Sequence, residues 1–181
     1  MHQNLQDTRA LLARTPAVLN TLLRDLPETW ICRHEGKSTW NATNVVAHMA
    51  QNERTAWIPR LRMILECGEE RIFEPLDRFA FVQGCEGMSL GQLLDAFARL
   101  RAENLATLDS LRLEPEDLDR RGRHPALGVV TLSELLATWA THDLTHLHQI
   151  TRVMAFQYRD AVGPFRRYLG VLQCEGHSSA T

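Results

Sequence analysis

Between positions 142 and 150 the chain reads HDLTHLHQI, with histidines at 142, 146 and 148. His142 and His146 are four apart, one helical turn, so both imidazoles project from the same face. A buried neutral imidazole needs a donor for one ring nitrogen and an acceptor for the other. Two adjacent imidazoles meet that need through separate hydrogen bonds in a core, or through one cation that takes a lone pair from each. The spacing leaves both readings open. The residue after the first histidine is Asp143, not the glutamate of the H-E-x-x-H zinc-protease motif, so that mechanism is not indicated. His148 points elsewhere on the helix and reads as a surface or interface residue.

A third ligand has to come from another helix, and His48 in NVVAHMAQNE is the candidate, on a face shared with Val45 and Asn52. His2 and His177 lie near the ends, and His34 and His124 in polar stretches; each reads as solvated. Asn52 and Asp143 sit within a turn of the candidate ligands, and either could orient an imidazole. Asp143 reads equally well as the partner of an arginine in a surface ion pair. Glu53 is the nearest carboxylate for a general base. It follows His48 by five residues, about 140° round the helix, which is a poor place for that role. Trp57, Trp139 and Phe156 line a pocket or simply belong to the core. The DRRGRH run at 119 to 124 is a solvated loop, or an anion contact at the mouth of the site.

The elements that must position these groups are helical. Leu5 and Leu12, then Val18, Leu19, Leu22, Leu23 and Leu26, recur at threes and fours, interrupted at Thr15-Pro16, where the helix should kink or restart with threonine as cap. ETWICRHEGKSTW reads as a connector. A second helix runs from a cap at Asn41 to about Cys67, bent by Pro59 and stopped by Gly68. GEERIFEPLDRFAFVQGCEG is a long irregular loop. A third helix spans about Ser89 to Leu111. EPEDLDRRGRHPALGVV is a second loop with no hairpin signal. The fourth helix opens on a capping box, Thr131 with Glu134, and runs to about Gln157. On it Leu135, Trp139, His142, His146, Ile150 and Val153 share a face. Gly163-Pro164 breaks the chain before a short C-terminal helix. The sum is an all-α chain, a four-helix bundle in one domain over residues 1 to 181.

Composition limits the function. The 181 residues are 44% hydrophobic and 23% charged, with a formal net charge of −2, so neither nucleic acid nor an anionic membrane is an expected partner. No stretch approaches the roughly 20 apolar residues of a membrane span. Cys32, Cys67, Cys85 and Cys174 are scattered, without C-x-x-C spacing, and the first residues lack an apolar signal-peptide core. A reducing cytoplasm with free thiols is expected.

WNATNVVAHMAQNERTAWIPRLRMIL, followed by RGRHPALGVVTLSELLATWATHDLTHLHQITR and the tail YRDAVGPFRRYLGVL, resembles the DinB/YfiT-like superfamily, in particular the branch whose fourth helix carries H-D-x-x-H-x-x-Q-I. The resemblance covers nearly the whole chain. It implies a four-helix bundle that binds a divalent metal, usually zinc or nickel, through His48, His142 and His146, and it implies a homodimer. Many relatives have Ser-Pro where this chain has Asn41-Ala42, which changes only the helix start. Three imidazoles suit zinc or nickel better than magnesium or calcium. Three protein ligands also leave an open coordination position, as in catalytic rather than structural sites.

Two functions compete. One is a metal-dependent enzyme acting on a small molecule. It would be a hydrolase, or a transferase of a low-molecular-weight thiol, for which Arg54, Arg60 or Arg152 would contact the charged cosubstrate. The other is a non-catalytic metal-binding protein of a stress response whose partner is another protein. The dimer, if built on the first helix, would use the stripe around Leu19 and Leu23; the alternative is that those leucines complete the monomer core.

Overall fold

The computed structural model describes residues 4–37, 39–76 and 87–174. The first helical arm is split. α1 spans Leu5–Leu12 and α2 spans Thr15–Leu23, with the break at Ala13 and Arg14. Thr15 does not cap α2. It is the first helical residue and is buried, and the residue before it, Arg14, keeps right-handed helical angles, so the arm kinks without fully stopping. The cause is Pro16, whose missing N–H leaves the carbonyl of Leu12 without its helical donor.

The connector after α2 contains a short helix that the sequence does not announce, α3 (Glu28–Ile31). α4 (Ala42–Thr55) opens on Asn41, which forms a reciprocal capping box with Asn44. α5 (Trp57–Cys67) follows after a single residue, Ala56, and Gly68 ends it. The expected bend at Pro59 falls three residues earlier, at Ala56, with φ −106° and ψ −62°. A proline disturbs the turn before its own position, because its ring crowds the carbonyl four residues back, here that of Thr55. Gly68–Glu70 forms a single 3-10 turn. Residues 77–86, in the expected long loop, lie outside the described residues, as does Cys85.

α6 (Leu90–Ser110) is capped by Ser89 with Gln92, and α7 (Leu132–Phe156) by Thr131 with Glu134, both as full capping boxes. Between them lie a 3-10 helix, Pro115–Asp119, and a feature that corrects the sequence reading. Residues 121 to 131 are not a plain loop. Arg121–His124 (β1) and Gly128–Thr131 (β2) pair as an antiparallel hairpin. The polar run RGRH has no apolar alternation, so the pairing is invisible to a periodicity argument. It is held by non-local contacts instead. Phe73 N–H donates to Arg123 O at 2.8 Å, and Gly122 lies so close to Ile64 that a Cβ there would come within 2.7 Å of it. After α7 the chain forms 3-10 turns at Gly163–Tyr168 and Gly170–Leu172 in place of the expected α-helical tail.

The apolar core has two halves. One holds Leu19, Leu23, the start of α4, Leu90 to Phe97 and Ile150; the other holds Leu12, Trp57, Leu61, Leu105, Leu108 and Leu132 to Ala140. The order in which each helix visits them gives its direction. α1–α2 and α7 run from the second half to the first, and α4–α5 and α6 run the opposite way. The bundle is therefore up, down, down, up, with a long return connection between α5 and α6. Leu12, Leu19 and Leu23 are fully buried, so the stripe offered for a dimer belongs to the monomer core. No helix among the described residues is long and apolar enough to cross a membrane.

Candidate metal centre

Each of the three long arms crosses a polar layer where it passes between the two apolar halves. α4 contributes His48, Asn52 and Glu53, α6 contributes Arg101 and Asn104, and α7 contributes His142, Asp143, His146 and Gln149. Such a layer is costly unless its members satisfy one another. It divides into two linked parts.

The first part is the histidine cluster. One ring nitrogen from each of His48, His142 and His146 lies within 4.8 Å of the others. His142 Nε2 and His146 Nε2 are 3.0 Å apart. His146 Nδ1 donates to Gln149 Oε1 at 2.8 Å, which leaves the lone pair on its Nε2. Asn52 Nδ2 donates to His48 Nε2 at 3.0 Å and to His142 Nε2 at 3.1 Å, so those nitrogens also present lone pairs. Lone pairs this close repel unless a proton or a cation lies between them. Burial, with His146, His48 and then Arg101, holds His142 well below the usual imidazole range, so it stands as a neutral imidazole, the form that ligates a metal. Two nitrogens bound tetrahedrally to zinc at about 2.05 Å would be about 3.3 Å apart, close to the separation found. The donor set thus fits a borderline divalent metal, and the Gln149 contact is the kind of outer bond that fixes a metal-bound imidazole.

Aromatic rings wall the cluster. Trp57 meets His142 edge-on with centroids 5.1 Å apart and stacks on Trp139 at 5.7 Å. Trp40 lies 4.7 Å from His48 and 6.5 Å from His146.

The second part is an ion network, also in the interior. Arg101, Glu53 and Asp143 are 1–2% exposed. Arg101 grips Asp143 with both terminal nitrogens, at 2.7 and 2.9 Å, and reaches Glu53 Oε1 at 2.8 Å. It also donates to Leu12 O at 2.7 Å, the carbonyl that Pro16 leaves without a helical donor. Trp139 Nε1 and Asn104 Nδ2 complete the shell of Glu53, at 2.8 and 3.0 Å. Burial alone would lower the Arg101 pKa, but the hydrogen bonds and charges of Asp143 and Glu53 outweigh it and hold the guanidinium above its ordinary value.

The structure brings together the three histidines singled out in the sequence, and it puts Asn52 between two of them. Asp143 does pair with an arginine, but in the core and not on the surface. Glu53 is committed to Arg101, Trp139 and Asn104 and does not face the histidines as a base. His148 is exposed. His34 binds Thr39 O within its loop, His124 accepts from the Ala126 and Leu127 amides in the hairpin turn, and His2 and His177 lie outside the described residues. Phe156 sits under Arg159. In the arginine run, Arg121 and Arg123 belong to β1. Arg101, Asn104, Gln149 and Trp40 were not anticipated. Gln149 had a usable signal, the i,i+3 spacing from His146.

A sequence-family model, that of the DinB superfamily, matches residues 11–150. The chain belongs to this superfamily. Among solved structures, this DinB-superfamily chain is similar to YfiT from Bacillus subtilis, described as a probable metal-dependent hydrolase with an unusual four-helix bundle topology. The TM-score is 0.67 at 20% identity, over 83% of this chain and 87% of that one, a likeness of fold. No curated protein matches the chain significantly.

Proposed function

We propose that this DinB-superfamily protein is a metal-dependent hydrolase of a small molecule. In this reading His48, His142 and His146 hold one divalent cation, zinc or nickel, with at least one coordination position left to substrate or water. The observation that carries it is the convergence of three imidazole nitrogens from two helices, with His146 oriented by Gln149. Such a cation, when bound, supplies Lewis acidity, polarising a carbonyl or lowering the pKa of water. The description of YfiT favours hydrolysis. Thiol transfer draws less support, because the three arginines offered for a charged thiol are engaged elsewhere: Arg54 with Gln51, Arg60 with Glu74 O and the Phe73 ring, and Arg152 with Glu35. Trp40 and Trp57 would exclude water on two sides of the cation and give an apolar part of the substrate a surface.

A panel of esters, amides and thiol–electrophile pairs tests this reading. Each is run on the metal-loaded protein, the chelated protein and the chelated protein with metal restored. Hydrolysis lost on chelation and regained with zinc or nickel supports it. Hydrolysis indifferent to chelation contradicts it. Turnover of thiol–electrophile pairs alone moves the assignment to a transferase, and metal binding without any turnover moves it to a non-catalytic metal protein.

A further inference from the structure

The ion network beside the histidines carries more negative charge than its own pairing needs. Every polar contact of Glu53 Oε1 and Oε2 is with a donor, namely Arg101, Trp139 and Asn104. Both oxygens of Asp143 accept from Arg101. A protonated carboxyl would need an acceptor facing it, and these contacts provide none, so both groups are carboxylates. Arg101 neutralises one of them. The triad therefore has a net charge of −1, almost wholly out of water. The other buried ion among the described residues, Arg152, is matched by its own partner, Glu35.

A second carboxylate on one buried guanidinium is a poor way to stabilise a fold. Even a balanced buried pair barely recovers its desolvation cost, and a surplus charge adds to that cost. The surplus is also placed where a cation would bind. Asp143 follows His142 directly and lies three residues before His146, on the same side of α7. Glu53 follows Asn52, whose amide touches both His48 and His142. Three neutral imidazoles bring no charge of their own to a dication.

We propose that the Glu53–Arg101–Asp143 triad is the counter-charge of the histidine metal site, a built-in anion whose field raises the affinity for a dication and whose desolvation cost the bound metal relieves. This rests on the metal reading above. Its residues act on the metal through space and through the register of α4, α6 and α7; they are positioning residues, not ligands. The metal-free protein then keeps an uncompensated buried charge, and the bound form does not.

Glu53→Gln and Asp143→Asn each remove that net charge at nearly constant volume, and each turns one amide N–H2 onto a donor, Asn104 in the first and Arg101 in the second. Glu53→Gln keeps the Oε1 that Trp139 and Arg101 bind. For the wild type and both variants, zinc affinity is measured by competition with a chromophoric chelator. Urea unfolding is followed without metal, and the visible spectrum is recorded with cobalt(II) in the site. The expected result is a roughly ten- to hundredfold loss of zinc affinity in both variants, the range found for outer partners of metal ligands. The metal-free unfolding midpoint should fall by less than the loss of zinc affinity, since removal of the surplus charge offsets the one hydrogen bond lost, and the cobalt spectrum should keep its band positions, since the same three imidazoles coordinate. A folded variant that binds zinc as tightly as the wild type overturns the proposal and leaves the metal reading intact. A loss of affinity matched by an equal loss of metal-free stability, or failure of both variants to fold, overturns it too, because the triad would then be a structural clamp. A wild type that binds no zinc, nickel or cobalt removes both readings together.

Discussion

Arg101→Met isolates the polar layer. The substitution keeps an unbranched side chain of similar length between Phe97 and Trp139, whose rings flank the guanidinium at 4.8 and 5.4 Å. It deletes four hydrogen bonds, two to Asp143, one to Glu53 and one to Leu12 O. It leaves two carboxylates in the core with no cation between them. Breaking a buried pair from one side costs about 3–5 kcal/mol, and here two anions are stranded, so the upper part of that range applies. For a chain of this size each kcal/mol moves Tm by about 2–4 °C, so a fall of roughly 10–20 °C is expected. Helical circular dichroism followed on heating, at pH 7 and without metal, measures it. Arg9→Ala is the control: it removes an equally bidentate partner of Asp109 on the surface and should scarcely move the transition. A drop below about 1 kcal/mol for Arg101→Met, or equal drops for both variants, would show that Glu53 and Asp143 are not charged groups that depend on Arg101 in the core.

Two further outcomes follow from the geometry. His142 has a folded-state pKa well below its ordinary value, so below about pH 6.5 the unfolded chain takes up a proton that the folded chain refuses. The stability of the metal-free protein is therefore complete above that pH and declines on acidification, by up to about 1.4 kcal/mol per pH unit from this group. Urea midpoints between pH 7.5 and 5.5 should fall more steeply for the wild type than for His142→Gln, and parallel profiles would contradict the assignment. Gly122→Ala should destabilise by about 1–3 kcal/mol through overpacking, since its Cβ would come within 2.7 Å of Ile64 and 3.0 Å of the Phe73 ring; an unchanged Tm would mean that the hairpin is free to move off α5.

What the sequence disclosed and what it withheld divide along the line between local and non-local causes. The starts of α6 and α7 were legible because Ser89 with Gln92, and Thr131 with Glu134, close their capping boxes within four residues. The histidine cluster was legible for the same reason in part. His142 and His146 share a face by spacing alone, and His48 stood out as a candidate on its own helix face, whereas its meeting with the other two depends on the packing of two helices, which only the family resemblance implied. The hairpin at 121 to 131 was not legible, because β1 is polar and its stability lies in Ile64, Phe73 and the closeness of Gly122. Nor was Arg101. An arginine in a long helix reads as solvated, and its burial depends on carboxylates from α4 and α7 and on a carbonyl that Pro16 leaves open some 85 residues away. The break at Ala56 was anticipated in kind but placed at Pro59 itself, where the turn before it is what gives way.

Metal content of the purified chain and of four histidine variants bears most directly on the central claim. Elemental analysis after equilibration with zinc or nickel at pH 7.5 should find about one metal per chain in the wild type and in His148→Ala, whose side chain is exposed. His48→Ala, His142→Ala and His146→Ala should each lose most of it while keeping their helical content. Full occupancy in His48→Ala, or a loss in His148→Ala equal to the others, would contradict a single site built from these three imidazoles.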